Sequence, residues 1–374
     1  MLDYSVNTPV APPRRWWQVD PWISVLVVAL LLLSLLMLYS IGGGMALVQA
    51  QGLRILMGAL VVFVILVMPV KWLIHLSPVA YVGFLALLVL VLFVGASAGG
   101  AQRWINLGPI RLQPSEFGKV VMVMIIAWWF SFKPRHPNLL DVLLSLALIA
   151  LPVLLIREEP DLGTAILVAL SGLVTLFLAG LSWWVIAAGG VAAAFGVPLF
   201  WAFGIADYQK ERVLTLFNPE VDPWGAGYHI IQSKIAIGSG GVSGKGFMQG
   251  TQSQLEFLPE SDTDFIFAVL AEEWGLFGVA VLLILYTALI LRGLWLSTQL
   301  SHRYARMVCG AIFFILFVNV FINIGMVSGF LPVVGLPLLF ISFGGSAMLT
   351  FLAGMGLALA LGRSYMRQVE GGRL

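Results

Sequence analysis

The stretch LPESDTDFIFAVLAEEWG, residues 258–275, places five carboxylates, Glu260, Asp262, Asp264, Glu272 and Glu273, at the entrance to and inside a segment that otherwise reads as an apolar helix. Carboxylates in such surroundings can do proton chemistry. Like charges nearby and apolar shielding raise a carboxyl's proton affinity toward the range of a general base. For Asp264 a structural reading stands beside the chemical one. Ser261-x-x-Asp264 ahead of an apolar run is a capping-box pattern, with the acid reaching back to the helix start and favoured by its dipole. Glu272 and Glu273 follow about 12 Å deeper at roughly 1.5 Å per residue. Acids at that depth usually face a bundle interior and a partner, so these two are read as packing supports or as functional groups.

A second group lies upstream. QPSEFGK (113–119) sets Glu116 and Lys119 three apart on one helical face, as an ion pair or as part of a site. Arg103, Trp104 and Arg111 precede it. Two guanidiniums and an indole can present cations to a phosphate and a ring to a sugar, or simply anchor an interface. Further along, Arg212, Lys234 and Lys245 are cations available to an anion. The glycines around Lys245 do not make a nucleotide-binding loop, because Ser239 stands where the first glycine would fall and Gly246 follows the lysine. IIQSKIAI instead predicts a short amphipathic helix lying on a membrane, followed by a glycine-rich turn free to move or to admit a bulky ligand. No His/Cys/Asp spacing suggests a metal site; His229 reads as interfacial and Cys309 as a small core side chain.

The elements that must position these groups are membrane spans. Of 374 residues, 60% are hydrophobic and 10% charged, and the mean hydropathy is +1.00. A net charge of +2 gives no reason to expect a nucleic-acid partner. With roughly 20 apolar residues needed per crossing, the expected architecture is an all-α polytopic membrane protein. Its ten spans fall at about 22–42, 53–70, 79–97, 117–132, 139–156, 162–180, 183–205, 265–291, 305–327 and 345–362. A tail of residues 1–21 precedes them, a large loop over about 206–264 separates spans seven and eight, and a second tail covers 363–374. Segment 331–345, with Pro332, Pro337 and a glycine pair, reads as re-entrant or capping.

The bias of Lys and Arg toward cytoplasmic connections orients the chain. With both termini inside, Arg14, Arg15, Lys133, Arg135, Arg303 and Arg306 fall on the cytoplasmic side, and Arg54, Arg103, Arg111 and Arg157 remain outside. The inward connections are then short and basic, while the long polar ones face away from the cytoplasm. A reaction on that face cannot count on ATP. It needs a substrate that arrives activated, or a gradient.

GAQRW, QPSEFGK, EPDLGT (159–164), GAGYHIIQSKIAIGSGG (225–241), GTQSQLEFLPE, TDFIFAVLAEE, NIGMVSGFLPVVGLPL (323–338) and ISFGGSA (341–347) together carry a resemblance. The chain resembles the SEDS family of shape, elongation, division and sporulation proteins, its rod-shape branch more than its division branch. The resemblance covers residues 22–362. It implies a peptidoglycan glycosyltransferase of the bacterial inner membrane that polymerises lipid II on the periplasmic face for cell elongation. Undecaprenyl pyrophosphate would be the leaving group. The implied partners are the nascent glycan, a class B penicillin-binding protein and other membrane proteins of an elongation complex. The family's essential aspartate maps onto Asp264 and its Glu and Lys onto Glu116 and Lys119. Arg103, Trp104, Arg111, Arg212, Lys234 and Lys245 are the remaining candidates for substrate binding, and Glu272, Glu273, Asp161 and Ser261 for support. A divalent cation, Mg2+ or Mn2+, is compatible with a pyrophosphate leaving group, with no residue assigned to hold it. Common members carry His-Thr-Asp where this chain has Asp262-Thr263-Asp264, so any tuning of the aspartate here must differ. Two rival readings suit the same spans: a transporter that flips lipid II, and a noncatalytic scaffold for a penicillin-binding protein.

Overall fold

The computed structural model describes residues 19–98, 101–107, 110–133, 137–204, 207–221, 225–255 and 257–370. Arg14, Arg15 and Arg135, used above for orientation, lie outside the described residues. The first described helix opens on a cap. Asp20 Oδ1 accepts the backbone N–H groups of Trp22 and Ile23, both at 3.1 Å, and Pro21 opens α1 (Pro21–Gly42) where its missing N–H costs nothing. The second carboxylate oxygen of Asp20 accepts from Arg292 at 2.6 Å, so the first helix is tied to the far end of the chain at its start.

Ten long helices are present among the described residues: α1, α2 (Met45–Val67), α3 (Val70–Val94), α4 (Pro114–Ser131), α5 (Leu139–Glu158), α6 (Leu162–Leu178), α7 (Trp183–Phe203), α11 (Ile266–Gln299), α12 (Arg303–Val327) and α13 (Gly345–Glu370). Eight of these helices are long and apolar enough to cross a membrane; α6, at 17 residues, is shorter, and α4 carries Glu116 and Lys119 in its first two turns. This is an all-α polytopic membrane fold. The expected spans correspond to these helices, with α2 and α3 starting eight and nine residues earlier than hydropathy suggests. α4 is the hub, packed against α3, α6, α12 and α13, while α13 lies along α2 and α12 along α11. α7 buries none of its residues.

Between α7 and α11 come three shorter helices, α8 (Asp207–Phe217), α9 (Ala226–Gly240) and α10 (Thr251–Gln254). α9 is the short amphipathic helix expected over IIQSKIAI, and its buried face is turned to protein. Ile230, Ser233, Ala236 and Gly240 form a buried stripe at helical spacing, and the helix packs on α11 and α12. The polar residues of IIQSKIAI include the buried Ser233, whose hydroxyl donates to the Val327 carbonyl at 2.8 Å.

The glycine-rich turn after α9 is not a free flap. α11 is broken at Gly275, where φ is +62 and ψ −158, and residues 241–246 fill the break. Lys245 and Gly246 donate their backbone N–H groups to the carbonyls of Glu272 and Glu273 at 3.0 Å, and Leu276 and Phe277 donate theirs to Gly241 and Val242 at 3.0 and 3.3 Å. Four backbone groups freed by the break, Glu272 O, Glu273 O, Leu276 N–H and Phe277 N–H, thereby find partners, as backbone inside a bilayer favours. A side chain at Gly240 or Gly244 would strike the carbonyl of Ala271 or Glu273, and Gly244 also has φ +76. These glycines permit close backbone approach.

One feature of the fold lies outside the all-α expectation. The connection between α3 and α4 forms a small antiparallel sheet, β1 (Ala96–Ala98), β2 (Ala101–Leu107) and β3 (Ile110–Leu112), in that order. Ile105 pairs with Leu112 and Asn106 with Arg111. The Gly108-Pro109 pair between the last two strands was a legible turn signal; it lies outside the described residues.

Candidate active site

The sheet, the start of α4, the α5–α6 turn, the acidic turn before α11, the irregular segment 328–344 and the start of α13 meet at one end of the bundle. They enclose a cleft of about 400 Å³. Asp264 lines it together with Glu116, Asp161, Glu260, Arg103 and Trp104. A second hollow of about 310 Å³ adjoins it, lined by Arg212, Gln209 and the 332–335 backbone; Arg103, Asp161 and Gly335 line both.

Asp264 does not belong to the helix it precedes. α11 begins at Ile266 with Phe265 as its N-cap and no side-chain cap, so the Ser261-x-x-Asp264 capping box does not form. The carboxylate points instead toward segment 332–337: a methyl group built on Gly335, whose φ is +70, would sit 3.5 Å from Asp264 Oδ2. Asp264 forms no ion pair within 4.0 Å among the described residues. Burial pushes its pKa up to about 7, helped by the like charges of Glu260, Asp262 and Glu116 and opposed by Arg212. Asp262 is likewise raised by burial and by Glu260, with Arg54 pulling the other way.

Glu116 and Lys119 form a buried pair, the ammonium bonded to both carboxylate oxygens at 2.8 Å. Glu116 reaches the cleft wall and Lys119 lies behind it, 5.9 Å from the Phe351 ring. Asp161 caps α6, accepting from the Thr164 N–H at 3.1 Å and from Gln113 Nε2 at 2.7 Å. Gln113 N–H in turn donates to Ser346 Oγ at 2.8 Å, tying α4, α6 and α13 together at the cleft floor. Arg103 is fixed by donating to the carbonyls of Glu159, at 2.9 Å, and Pro160. Beside it Glu159 is fully buried with neither carboxylate oxygen partnered among the described residues; burial and Asp161 push its pKa up to about 8, against Arg103.

Not every cation picked from sequence reaches the cleft. Lys245 is bonded to Glu272 at 2.6 Å, because the loop that carries it docks into the α11 break. Lys234 lies on α9 against Gly329, and Arg111 is exposed on β3, with neither among the lining residues. Ser261 is half-buried in the acidic turn and does not line the cleft either. Glu272, wholly buried, accepts the backbone N–H of Thr251 at 2.8 Å and of Gln252 at 3.1 Å, and Glu273 accepts from Ser40 Oγ at 2.5 Å. Both deep acids hold the loop and α1 rather than facing Asp264. Gln113, Thr164, Asn323, Gly335 and Ser342 lie inside the family motifs, but being uncharged they carry no individual role in the sequence; the structure places each at or beside the cleft.

A family model described as a cell cycle protein, FtsW/RodA/SpoVE, matches residues 19–366. The chain belongs to this family. It is 48% identical over 352 residues to the Escherichia coli (strain K12) protein named peptidoglycan glycosyltransferase MrdB, covering 93% of this chain and 95% of that one. It is 29% identical to the Treponema pallidum (strain Nichols) peptidoglycan glycosyltransferase RodA over 75% of this chain and 81% of that one. Among solved structures, a chain from a peptidoglycan synthase complex, studied for the coordination of polymerization and crosslinking, superposes with a TM-score of 0.81 at 34% identity, over 93% of this chain and 99% of that one. The Thermus thermophilus rod shape determining protein RodA superposes with a TM-score of 0.71 at 29% identity, over 93% and 98%.

Proposed function

We infer that the chain is a peptidoglycan glycosyltransferase that polymerises lipid II, with Asp264 as general base. The observation that carries this reading is the position of Asp264: without an ion-pair partner among the described residues, on the wall of a cleft with a second hollow beside it, its pKa raised to about 7. A base poised near neutrality both exists as carboxylate and holds a proton once it has taken one.

The reaction joins two lipid-borne sugars. The 4-hydroxyl oxygen of the acceptor's GlcNAc attacks the anomeric carbon of the donor chain, its proton passes to Asp264, and the anomeric C–O bond breaks. Undecaprenyl pyrophosphate departs with the electron pair. Arg103, shared by both hollows, and Arg212, lining the second, stabilise the charge that develops on it. Trp104 offers a ring to a sugar face. The cleft end of the bundle faces the periplasm and both termini the cytoplasm, following the distribution of Lys and Arg. A class B penicillin-binding protein cross-links the product, a reading supported by the resemblance to a chain of a peptidoglycan synthase complex.

No set of residues is assigned to hold a divalent cation. Among the described residues no set of three or more His, Cys, Asp or Glu side chains converges on a metal-sized point, and Glu116 is committed to Lys119. No step is routed through a metal.

The test is the purified protein with its transpeptidase partner and lipid II, compared with Asp264→Asn at equal folded amounts. Loss of glycan formation by about 10²-fold or more is expected for removal of a general base. Polymer made by Asp264→Asn at the wild-type rate would overturn the assignment; lipid II crossing a bilayer without polymer would favour a transporter.

A further inference from the structure

Three successive backbone carbonyls of the acidic turn are held from outside it. Asp262 O accepts the Phe343 N–H at 2.8 Å, Thr263 O accepts the Ser342 hydroxyl at 2.5 Å, and Asp264 O accepts Asn323 Nδ2 at 2.9 Å. Such density of outside donors on so short a turn is not needed to start a helix. Nor does the contact stop there. Gln51, wholly buried on α2, donates through Nε2 to Ser342 O and to Ser34 Oγ, both at 3.1 Å, and Ser34 Oγ donates to Ile341 O at 2.6 Å. Arg54, one turn above Gln51, lies 3.7 Å over the Phe343 ring. Asn323 Nδ2 also reaches Leu336 O at 2.7 Å, fixing the opposite wall of the cleft to the same amide.

We propose that Gln51, Ser342 and Asn323 form a positioning frame for Asp264, linking α2, segment 338–343 and α12 to the backbone that carries the base. The proposal rests on the reading of Asp264 as base. Among the described residues that carboxylate has no ion-pair partner to anchor it, so its location is set by the backbone that carries it. A displacement of about 1 Å in a reacting group can cost on the order of 10² in rate. The frame therefore acts on turnover and leaves the sugar-binding and phosphate-binding walls, Arg103, Trp104 and Arg212, where they are.

Removing Ser342's hydroxyl while keeping its size tests this directly. Ser342→Ala and, on a different helix, Gln51→Leu are expected to lower kcat for lipid II polymerisation by about tenfold or more, with KM changed less than twofold. Ser342→Thr, which keeps the donor, is expected to restore most of the rate. A loosened turn also admits water, so the acid limb of the pH–rate profile should move to lower pH. The charges facing Asp264, which are Glu260, Asp262 and Glu116 against Arg212, are untouched by these changes. Thermal melts identify any variant that merely fails to fold, and rates are expressed per folded molecule. Unchanged kcat and an unmoved acid limb in both Ser342→Ala and Gln51→Leu, with Asp264→Asn inactive, would overturn the frame and leave the base assignment standing. Full activity in Asp264→Asn would remove the base assignment itself.

Discussion

At the scale of single residues, the proposed chemistry turns on one carboxyl whose charged neighbours all push the same way except one. Asp264 is raised to about 7 first by burial and then by Glu260, Asp262 and Glu116, with Arg212 alone opposing. A base acts as carboxylate, so activity is expected to rise with pH through about 7 and to level off above it. Glu260→Gln takes away the largest like charge and stabilises the ionised form. Its acid limb should move to lower pH, and pH–rate profiles of the two proteins check the sign. A limb that stays put or moves upward would mean that another group controls the rate. The acids were legible in the sequence because charge in an apolar chain is conspicuous. The roles of Glu272 and Glu273 were not, since a spacing along a helix says nothing about a loop 20 residues away folding back onto it.

The elements show where hydropathy succeeds and where it stops. Spans appear in sequence because lipid demands uniform apolar runs, and all ten long helices answer to one. Residues 95–113 and 206–264 obey no such demand, and there the structure departs from the expectation: residues 96–112 form a sheet, α9 packs on α11 and α12, and the glycine-rich turn is docked. In each case the deciding contacts are long-range, between backbone groups or small side chains. GSGGVSGKG carries glycine because backbone must pass within hydrogen-bonding distance of the α11 break, not because the segment must move. Gly244→Ala is accordingly expected to destabilise the protein by about 1–3 kcal/mol, the range for forcing a non-glycine residue into a sparsely populated backbone region, with the added clash against Glu273 O. Thermal unfolding in detergent would measure it; an unchanged midpoint would mean that the loop is not docked as described.

Across the whole molecule, polar groups are gathered at one end. The cleft, the sheet, the acidic turn and α8 to α10 share it, and the opposite end carries the ion pairs of Asp20 with Arg292 and Lys133 with Asp141. Which end faces outward follows, in our proposal, from the distribution of basic residues. Single cysteines introduced at exposed positions, Val242 near the cleft end and Leu139 at the other, should react with a membrane-impermeant thiol reagent in intact cells only at the former. Labelling of the Leu139 position instead would invert the orientation and with it the supply of substrate. Much of this polarity was readable, because positively charged loops and long polar connections alternate along the chain. The geometry inside the cleft was not, since Gln113, Ser342 and Asn323 are uncharged residues brought together from α4, α12 and the segment before α13. The break at Gly275 ties this geometry to the order of synthesis. Residues 241–246 leave the ribosome before the helix they complete, and that helix cannot close its backbone until they lie in its gap. Insertion of the eighth span is therefore expected to be completed by docking of the loop that precedes it, so that the enclosure around the proposed base forms only when both are in place.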